Sequence, residues 1–399
     1  MKKKILFLTY DGLTDPLGRS QIIPYLECIS SKTRKVFVLS FEKSIKSKNV
    51  KIELKKKKIS WVELKFTKKF GKIGKLYDLL KMLIFSFCII YSNKIDVIHC
   101  RSHVPAFVGF ILKKIIKVKL IFDFRGFWIE ERFDYGLLNK SSFFDKFFFK
   151  NFKILEKKIL KSSDCIICLT YKSKPVIKKI VNNKVPIEVM PCYADYNFFI
   201  KNKSNSASAK NKLNIKKKSI VLTYCGSINQ IYLVKKMLIF FLYLKKKYSN
   251  LIFLFITPQI NELKKIVREL PKNTFLNDIR IVTAEREEVP FYLSCANVSI
   301  SFIKRKFSRI AMSPTKMFES FAMGLPFLCN NGIGDVSSII KNYNSGGIIN
   351  INHKLKSKNN LIVFDKCLKI KNKKIIKNTF HIFDISIAKK KYDYIYNKF

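Results

Sequence analysis

Short apolar runs alternate with longer amphipathic segments along this chain of 399 residues. That alternation is typical of a parallel sheet covered by helices on both faces. In the first half, the predicted strands cover residues 5–9, 36–39, 61–64, 97–99, 120–123, 165–169 and 187–190. A second series covers residues 220–224, 251–256, 279–282, 298–301, 326–329 and 347–351. The pattern therefore predicts an α/β protein with two doubly wound, Rossmann-like sheets.

A polar stretch separates the two series, because residues 201–219 are mostly Lys, Asn and Ser. We predict a first domain over 1–195, a linker over 196–218 and a second domain over 219–380. The closing segment 381–399 is predicted to end in a helix, for which packing back on the first domain is an expectation from connectivity. Ligands of such sheets bind beyond the carboxyl ends of the strands. Two such domains facing one another would place those loops around a central cleft.

Neither end of the chain predicts export or a membrane span. The apolar run that starts at Ile5 is too short for a secretory signal and has no small-residue cleavage site behind it. The longest apolar stretch, from Met82 to Tyr91, falls short of the ~20 residues that cross a bilayer. The ten cysteines show no framework spacing, which suits a reducing cytoplasm. Cys165 and Cys168 spell a CxxC, but their strand-like run would point the two thiols to opposite faces.

The composition is strongly basic: 78 Lys and Arg stand against 28 Asp and Glu, a formal charge of +50. A general disorder is excluded because 48 % of the residues are hydrophobic. Three explanations of the charge remain: an AT-rich coding bias, attraction to an anionic membrane surface, and nucleic-acid binding. Arginine is scarce next to lysine, whereas recognition of phosphates and bases favours the arginine fork, so no nucleic-acid partner is expected.

The most informative segment runs from Ser313 to Gly332. It predicts a helix that begins at Pro314 or Thr315 and stops near Gly324, followed by a strand. A helix N-terminus that carries Ser313, Thr315 and Lys316 offers N–H groups, hydroxyls and a cation to a diphosphate. Glu319, one turn on, could accept hydrogen bonds from two ribose hydroxyls. The alternative is an ordinary capped helix with a solvated glutamate.

Further segments agree with this one in order and spacing. They are residues 9–21, 96–102 and 122–128 with Glu131 in the first half, and residues 224–227, 289–296 and 332–335 in the second. Together with 313–332 they resemble the family 4 glycosyltransferases over nearly the whole chain. The resemblance implies the GT-B fold and transfer of a sugar from a nucleotide diphosphate donor, with retention and usually without a bound metal. No cofactor is therefore expected beyond the nucleotide-sugar co-substrate.

The resemblance also assigns roles in the second domain, which holds the donor in this family. Glu319 corresponds to the second glutamate of the E-x7-E signature, while the first falls on Ala311. The expected donor-binding residues are Gly226, Ser227, Ser313, Thr315, Lys316 and Glu319. The cations that usually follow the glycine turn are absent, and the nearest one is Lys235. Without a metal, Lys316 and another cation would have to offset the charge of the leaving diphosphate.

The acceptor is expected on the first domain. Arg125 could meet a phosphate with its guanidinium fork, and we expect it to act with Asp123, Arg101 and Lys316 in catalysis. The alternative for Asp123 and Arg125 is a salt bridge that braces the loop. The expected acceptor-side residues are Asp11, Gly12, Gly18, Arg19, His99, His103 and Trp128. For His99 and His103 a buried, hydrogen-bonded structural role is the alternative.

The segment from Phe143 to Lys161 predicts a basic amphipathic helix, in which an aromatic stripe is flanked by lysines. Such a helix can lie in an anionic membrane interface. The alternative is a helix that packs on the sheet with a solvated lysine face. Residues 71–91 raise the same question.

These features together predict a retaining glycosyltransferase that uses a UDP- or GDP-sugar. The expected acceptor is a glycan or lipid-linked glycan of cell-surface polysaccharide synthesis. We expect a cytoplasmic protein, with a peripheral place on the inner face of the plasma membrane as an extension. Two alternatives stay open: a GT-B sugar-nucleotide epimerase, and a catalytically degenerate protein that binds a membrane surface.

Overall fold

The protein is described here by a computed structural model that covers residues 2–43, 47–68, 71–269, 276–352 and 354–399. The chain divides into two compact units. The first unit comprises Met1–Pro191 together with Ala388–Phe399, and the second comprises Cys192–Ile387. Each unit is built on one parallel sheet, and each is described by itself below.

The first unit holds a seven-stranded sheet in the order β3-β2-β1-β4-β5-β6-β7. Its strands are β1 (Lys3–Thr9), β2 (Arg34–Glu42), β3 (Ile59–Lys65), β4 (Val97–Arg101), β5 (Lys119–Phe124), β6 (Cys165–Cys168) and β7 (Ile187–Val189). All neighbours pair in parallel, with Phe7 opposite His99 and Arg101 opposite Asp123. Because β1 to β6 are almost continuously apolar, both faces of this sheet can be buried under helices.

Eight helices belong wholly to the first unit. They are α1 (Pro16–Gln21), α2 (Ile23–Ile29), α3 (Lys48–Lys56), α4 (Gly71–Asn93), α5 (His103–Ile115), α6 (Trp128–Asp134), α7 (Phe143–Ser162) and α8 (Lys174–Ile180). Helix α7 begins at a regular cap, since the Ser142 hydroxyl accepts a hydrogen bond from the Asp145 N–H. Among the described residues, no helix is long and apolar enough to cross a membrane.

The second unit holds a six-stranded parallel sheet in the order β10-β9-β8-β11-β12-β13. Its strands are β8 (Ile220–Cys225), β9 (Leu251–Ile256), β10 (Ile279–Val282), β11 (Val298–Ser301), β12 (Phe327–Cys329) and β13 (Gly346–Ile348). Its helices are α9 (Lys203–Lys212), α10 (Val234–Lys245), α11 (Ile260–Arg268), α12 (Val289–Ser294), α13 (Thr315–Ala322), α14 (Val336–Tyr343), α15 (Lys358–Lys369) and α16 (Asn372–Phe383). Short 3-10 turns cover Leu276–Asp278, Arg286–Glu288 and Phe307–Ala311.

The predicted fold class is confirmed, since both sheets are parallel and each predicted strand is present. The main differences lie at strand ends, which extend where flanking lysines or polar residues join the ladder. Strand β2, for example, runs to Glu42 because its last residues continue to pair with β3. Cys165 and Cys168 lie in buried β6, and all ten cysteines are free thiols.

The segment 196–218, expected to be a linker, includes helix α9 of the second unit. The Asn202 side chain caps this helix by accepting from the Ser204 N–H at 3.0 Å. Ala209 is buried, and the Lys201 ammonium donates to the Ala296 carbonyl at 2.7 Å. One small side chain and one long lysine therefore attach a very polar segment to its unit, which a reading of hydrophobicity alone misses.

The last helix, α17 (Ile385–Asn397), leaves the second unit and enters the first. It starts beside Asp384, whose carboxylate accepts from the N–H groups of Tyr196 and Ser386. Within the first unit, Tyr392 and Tyr396 are buried. These two tyrosines bring a distant part of the chain beneath the carboxyl ends of β4 and β5.

Candidate functional site

The carboxyl ends of the second sheet carry the segment that the sequence singles out for a diphosphate. Helix α13 begins at Thr315 directly after Pro314, and no side chain caps its N-terminus. Before the helix, the Ser313 hydroxyl accepts a hydrogen bond from the Cys192 N–H at 3.0 Å. Ser313 therefore fixes the entry to the helix, while Lys316 and Glu319 lie on the helix itself.

Gly226 follows β8 and supports Lys316. Its φ angle is +145°, and its N–H donates to the Ile256 carbonyl at 2.9 Å. A Cβ atom at this position would overlap the Cε atom of Lys316 and stand 2.5 Å from its Nζ. Only glycine leaves room for the lysine to cross the backbone here. The glycine turn and the helix N-terminus are thus one structural site, joined by the Lys316 side chain.

Lys316 is held as a cation although it is largely enclosed. Burial alone would lower the pKa of its ammonium, but Tyr232, Cys225 and Glu319 together raise the pKa above its usual value. Its Nζ atom lies 5.4 Å from the centroid of the Tyr232 ring, within cation–π distance. Burial also raises the pKa of the Cys225 thiol to about 12, so this neighbour stays neutral. The site therefore presents one fixed positive charge.

Glu319 lies one turn after Lys316 and is nearly enclosed, with 13 % of its side chain exposed. Burial raises the pKa of this carboxyl, while Arg286 and Lys316 act in the opposite direction. The nearest arginine nitrogen of Arg286 is 3.7 Å from its Oε1. A carboxylate with partners on one side keeps lone pairs that can accept hydrogen bonds from a diol.

Arg286 is a site residue that the sequence analysis missed. It lies in a 3-10 turn after β10, and its guanidinium stands 5.1 Å from the centroid of the Phe198 ring. The aromatic contact and the Glu319 carboxylate fix the arginine from two sides. Its rarity was a usable signal, because a chain that chooses lysine almost everywhere has retained an arginine at this position.

The other expected donor-side residues have simpler surroundings. The Ser227 carbonyl accepts from the Tyr224 hydroxyl at 2.6 Å, which fixes the turn after β8. Lys235, the nearest cation by sequence, lies on the surface and pairs with exposed Glu269 at 3.0 Å. Ala311, which replaces the first signature glutamate, is buried. Lys316 is therefore the better-placed cation of the two.

The first unit brings together a second polar cluster at the ends of β4 and β5. Asp123 is buried, and its carboxylate oxygens lie 3.7 Å from Arg101 and 3.6 Å from Arg125. Asp11 lies 3.9 Å from the Arg101 Nε. The Gln21 side-chain oxygen accepts from Arg101 at 3.5 Å and from Arg125 at 3.2 Å. We call these five residues the arginine cluster. Gln21, the last residue of α1, was not among the expected site residues.

His99 lies behind the arginine cluster and is fully buried. Its Nδ1 is 2.6 Å from the Tyr396 hydroxyl, and its Nε2 is 4.0 Å from an Asp123 oxygen. Burial lowers the pKa of the imidazole to about 4, against the opposing effect of Asp123. The ring is therefore neutral at physiological pH and supports the cluster from within the core.

The loop after β1 is held by a carboxylate that the sequence did not indicate. Buried Glu42 accepts from the N–H groups of Leu13 at 2.8 Å and Thr14 at 3.0 Å. A Cβ atom at Gly12 would stand 2.9 Å from this carboxylate, and one at Gly18 would overlap the Gly12 carbonyl. Both glycines are thus accounted for by contacts within the chain, although a ligand was the expected neighbour.

Three expected acceptor-side residues are engaged by other partners. Arg19 forms an ion pair with Glu53, and both side chains are about one-third exposed. His103 is buried and lies 2.9 Å from a Glu156 oxygen of α7. Trp128 stacks on Phe152, with ring centroids 4.8 Å apart. These contacts favour the structural interpretation for His103.

No cluster of three or more His, Cys, Asp or Glu residues suited to a metal ion occurs within the part of the chain that the structure describes. Both polar sites instead contain cations supplied by the protein. In each unit these side chains follow strands at the carboxyl edge of the sheet, where α/β proteins bind ligands.

No protein-family model and no curated protein matches this sequence. Solved structures do match along the full chain. A glycosyltransferase from Rickettsia africae is 16 % identical and has a TM-score of 0.70 over 100 % of this chain and 98 % of that one. HepE of Anabaena, solved with UDP and glucose, has a TM-score of 0.72 at 13 % identity over 100 % of both chains. Sucrose-phosphate synthase of Thermosynechococcus elongatus has a TM-score of 0.70 at 12 % identity over 100 % and 99 %.

The chain has the GT-B fold. Two parallel-sheet units and full-length likeness to these structures confirm that expectation. At such low identities the likeness concerns the fold, and the roles of individual residues depend on their geometry. Within this GT-B chain, the second unit contains Lys316 over Gly226 with Glu319 one turn on, and the first unit contains the arginine cluster.

Proposed function

We propose that this chain is a retaining glycosyltransferase that moves a sugar from a UDP- or GDP-sugar to a glycan or lipid-linked glycan. The observation that carries the proposal is Lys316, seated across Gly226 at the start of α13 with Glu319 one turn further. A cation beside free helix N–H groups suits a diphosphate, and a nearby carboxylate suits a ribose diol. The solved neighbours support the donor class, since HepE was crystallised with UDP and with UDP-glucose.

The chemistry requires charge stabilisation at the leaving group. When the bond from the anomeric carbon to the diphosphate oxygen breaks, both electrons stay on the diphosphate, and the acceptor oxygen forms the new bond. Lys316 is proposed to offset that negative charge, and no resident metal is invoked. Thr315 and Ser227 are proposed as further hydrogen-bonding groups for the phosphates.

The arginine cluster is proposed as the counterpart of the donor site. Two guanidinium groups share the Asp123 carboxylate, so the cluster carries surplus positive charge. Arg125 is proposed to hold a phosphate during transfer, and Asp123 to hold Arg101 and Arg125 in position. Asp11 and the loop after β1 are proposed to contact the acceptor.

A peripheral place on the inner face of the plasma membrane completes the proposal. Phe143 and Phe144 of α7 are exposed, and Lys146 and Lys150 lie beside them. A lipid-linked acceptor would be available to an enzyme held there. A role in cell-surface polysaccharide synthesis follows from that acceptor class.

Two assays test the proposal. Shifts in melting temperature across UDP, GDP, ADP and CMP identify the nucleotide, since a ligand at 100 times its Kd stabilises by ~2.7 kcal/mol. The full chain is then incubated with a panel of nucleotide sugars. Donor hydrolysis or transfer supports the proposal, and interconversion of the donors would indicate an epimerase. Failure to bind any nucleotide would contradict it and favour a degenerate surface-binding protein.

A further inference from the structure

Helix α4 exposes a stripe of large apolar side chains along its whole length. The stripe consists of Ile73, Tyr77, Leu80, Ile84, Phe87 and Tyr91, which follow one another at intervals of three or four residues. Their exposed fractions run from 43 % at Phe87 to 82 % at Tyr91. The opposite face of the helix is anchored in the core by buried Met82, Ile89 and Ile90. A single helix thus has two apolar faces, and only one is covered by its own unit.

The first half of α7 repeats this feature. Phe143, Phe144, Phe147 and Phe148 are all exposed, whereas the second half is anchored by buried Glu156, Ile159 and Leu160. Glu156 accepts from Lys153 and contacts His103, so the anchored half is fixed by charge as well as by packing. Lys146 and Lys150 are exposed among the aromatic rings of the first half.

Helices α4 and α7 belong to one layer of the first unit, because α5 contacts both of them. The connections from β3 to β4, β4 to β5 and β5 to β6 all cross the sheet in the same direction. Right-handed crossovers therefore place α4, α5 and α7 on the same face. Each helix follows the carboxyl end of a strand, so the N-terminal ends of α4 and α7 lie at the edge that carries Arg101 and Asp123.

We propose that the stripe on α4 and the four phenylalanines of α7 form one docking surface for an anionic lipid bilayer. Amphipathic helices bind bilayers in this way when apolar side chains enter the headgroup boundary and lysines meet anionic lipids. Asp78, the acidic residue within α4, is buried and paired with Lys81, Thr67 and Tyr10, which leaves the stripe without an exposed carboxylate. The net charge of +50 complements anionic lipid and opposes pairing of two copies of this chain.

The surface deepens the proposed function on one point only: it rests on that function for the identity of the acceptor. Because the surface and the arginine cluster share one edge of the sheet, the acceptor is a glycan on a lipid carrier held in the same bilayer. The binding of the bilayer itself does not depend on glycosyl transfer. It can therefore be tested without any activity assay.

Cys88 allows a direct test on the unmutated chain. It is the exposed thiol next to Phe87, whereas eight cysteines are buried and Cys225 is half-buried with a raised pKa. An environment-sensitive dye attached to Cys88 should shift to the blue when vesicles of phosphatidylglycerol and phosphatidylcholine are added. Vesicles of phosphatidylcholine alone should produce a much smaller shift, and a Cys88→Ala chain excludes labelling elsewhere. An unchanged dye spectrum with anionic vesicles would overturn the proposal.

Vesicle flotation then tests the stripe by mutation. A chain with Ile73→Gln, Leu80→Gln, Ile84→Gln and Phe87→Gln should bind anionic vesicles about tenfold or more weakly. The matched control changes similarly exposed Ile52, Ile200 and Ile362 to Gln, and should bind like the parent. Both chains should keep the parent's melting temperature and its affinity for UDP, which separates a failure here from a failure of the donor site.

Two results would contradict the bilayer as occupant. Equal flotation of the stripe variant and its control would show that lysines alone account for attachment. A parent chain that is dimeric by light scattering, with a monomeric stripe variant, would show that a second copy covers the stripe.

Discussion

The two polar sites of this protein are built in different ways. In the second unit, Lys316 and Glu319 come from one helix, and the glycine beneath them from the end of one strand. In the first unit, the arginine cluster draws on the loop after β1, on α1, and on the ends of β4 and β5, with α17 behind it. The first site depends on local sequence and the second on the folded topology.

Their charge balance differs as well. Lys316 and Arg286 both face Glu319, whose pKa burial raises, so the donor site combines cations with a carboxylate that is costly to ionise. In the arginine cluster, Arg101 and Arg125 share one Asp123 carboxylate. The comparison suggests a division of labour, in which the second unit determines nucleotide affinity and the first determines turnover.

The largest expected effect separates these two roles. Arg125→Ala should lower turnover by about three orders of magnitude, because a guanidinium that offsets transition-state charge is removed. Affinity for UDP, measured by calorimetry, should stay within twofold of the parent. Arg19→Ala is the matched control: its surface pair with Glu53 is worth about 0–1 kcal/mol, and its turnover should be nearly normal. Near-normal turnover of Arg125→Ala would assign Arg125 to bracing alone.

Gly226→Ala should weaken UDP binding by about a hundredfold, because the new methyl group expels Lys316 from its position. Gly136→Ala is the control for backbone strain, since Gly136 has a φ of +66° but no atom within 4 Å of its would-be Cβ. The control should lose some stability, by about 1 kcal/mol, and keep its UDP affinity. Equal UDP affinities of the two variants would show that Lys316 does not need this glycine.

Glu319→Ala should weaken UDP binding by one to two orders of magnitude, roughly the loss of charged hydrogen bonds to the ribose. Glu319→Gln tests whether the carboxylate is kept at a cost to stability. Because the pKa of Glu319 is raised in the folded state, its ionisation destabilises the fold as pH rises through that pKa. The Gln variant should therefore gain stability relative to the parent at neutral pH and not at pH below the usual carboxyl value. Unchanged UDP affinity of a folded Glu319→Ala chain would contradict the ribose role.

The smallest effect concerns His99, on which the arginine cluster rests. Its folded pKa of about 4 lies below the ordinary value of 6.5, so the unfolded chain binds the extra proton. Stability should therefore fall as pH decreases from 6.5 to about 4, by about 3 kcal/mol from this group. His99→Asn should be less stable at pH 7 but show a flatter decline in urea melts over that range. Parallel pH profiles would indicate that His99 is not a buried neutral imidazole.

The fold was largely predictable because each strand is a short apolar run bounded by polar residues, as at Leu251–Ile256. Helix α9 was not predicted because it buries little more than Ala209, so no periodicity marks it. The apolar stripe of α4 was also ambiguous. A helix with two apolar faces has no polar face to indicate which side is exposed, and only the packing of Met82 against the core decides it.

The donor site was predictable in part because Lys316 and Glu319 lie three residues apart on a helix. Its Arg286 comes from a separate turn, and no spacing rule links it to Glu319. In the first unit, Glu42 and Gln21 were missed for the same reason: their partners are distant in sequence, and their roles appear only when strands β1, β2, β4 and β5 lie side by side.

The central claim is that Lys316 holds the donor diphosphate. Calorimetric titration of the parent chain and of Lys316→Met with UDP and with uridine tests it most directly. We predict that UDP binding weakens by about a hundredfold or more in the variant, while the weaker binding of uridine is unchanged. Lys235→Met, which removes a surface lysine paired with Glu269, should behave like the parent. Equal UDP affinity in the parent and in folded Lys316→Met would contradict the account.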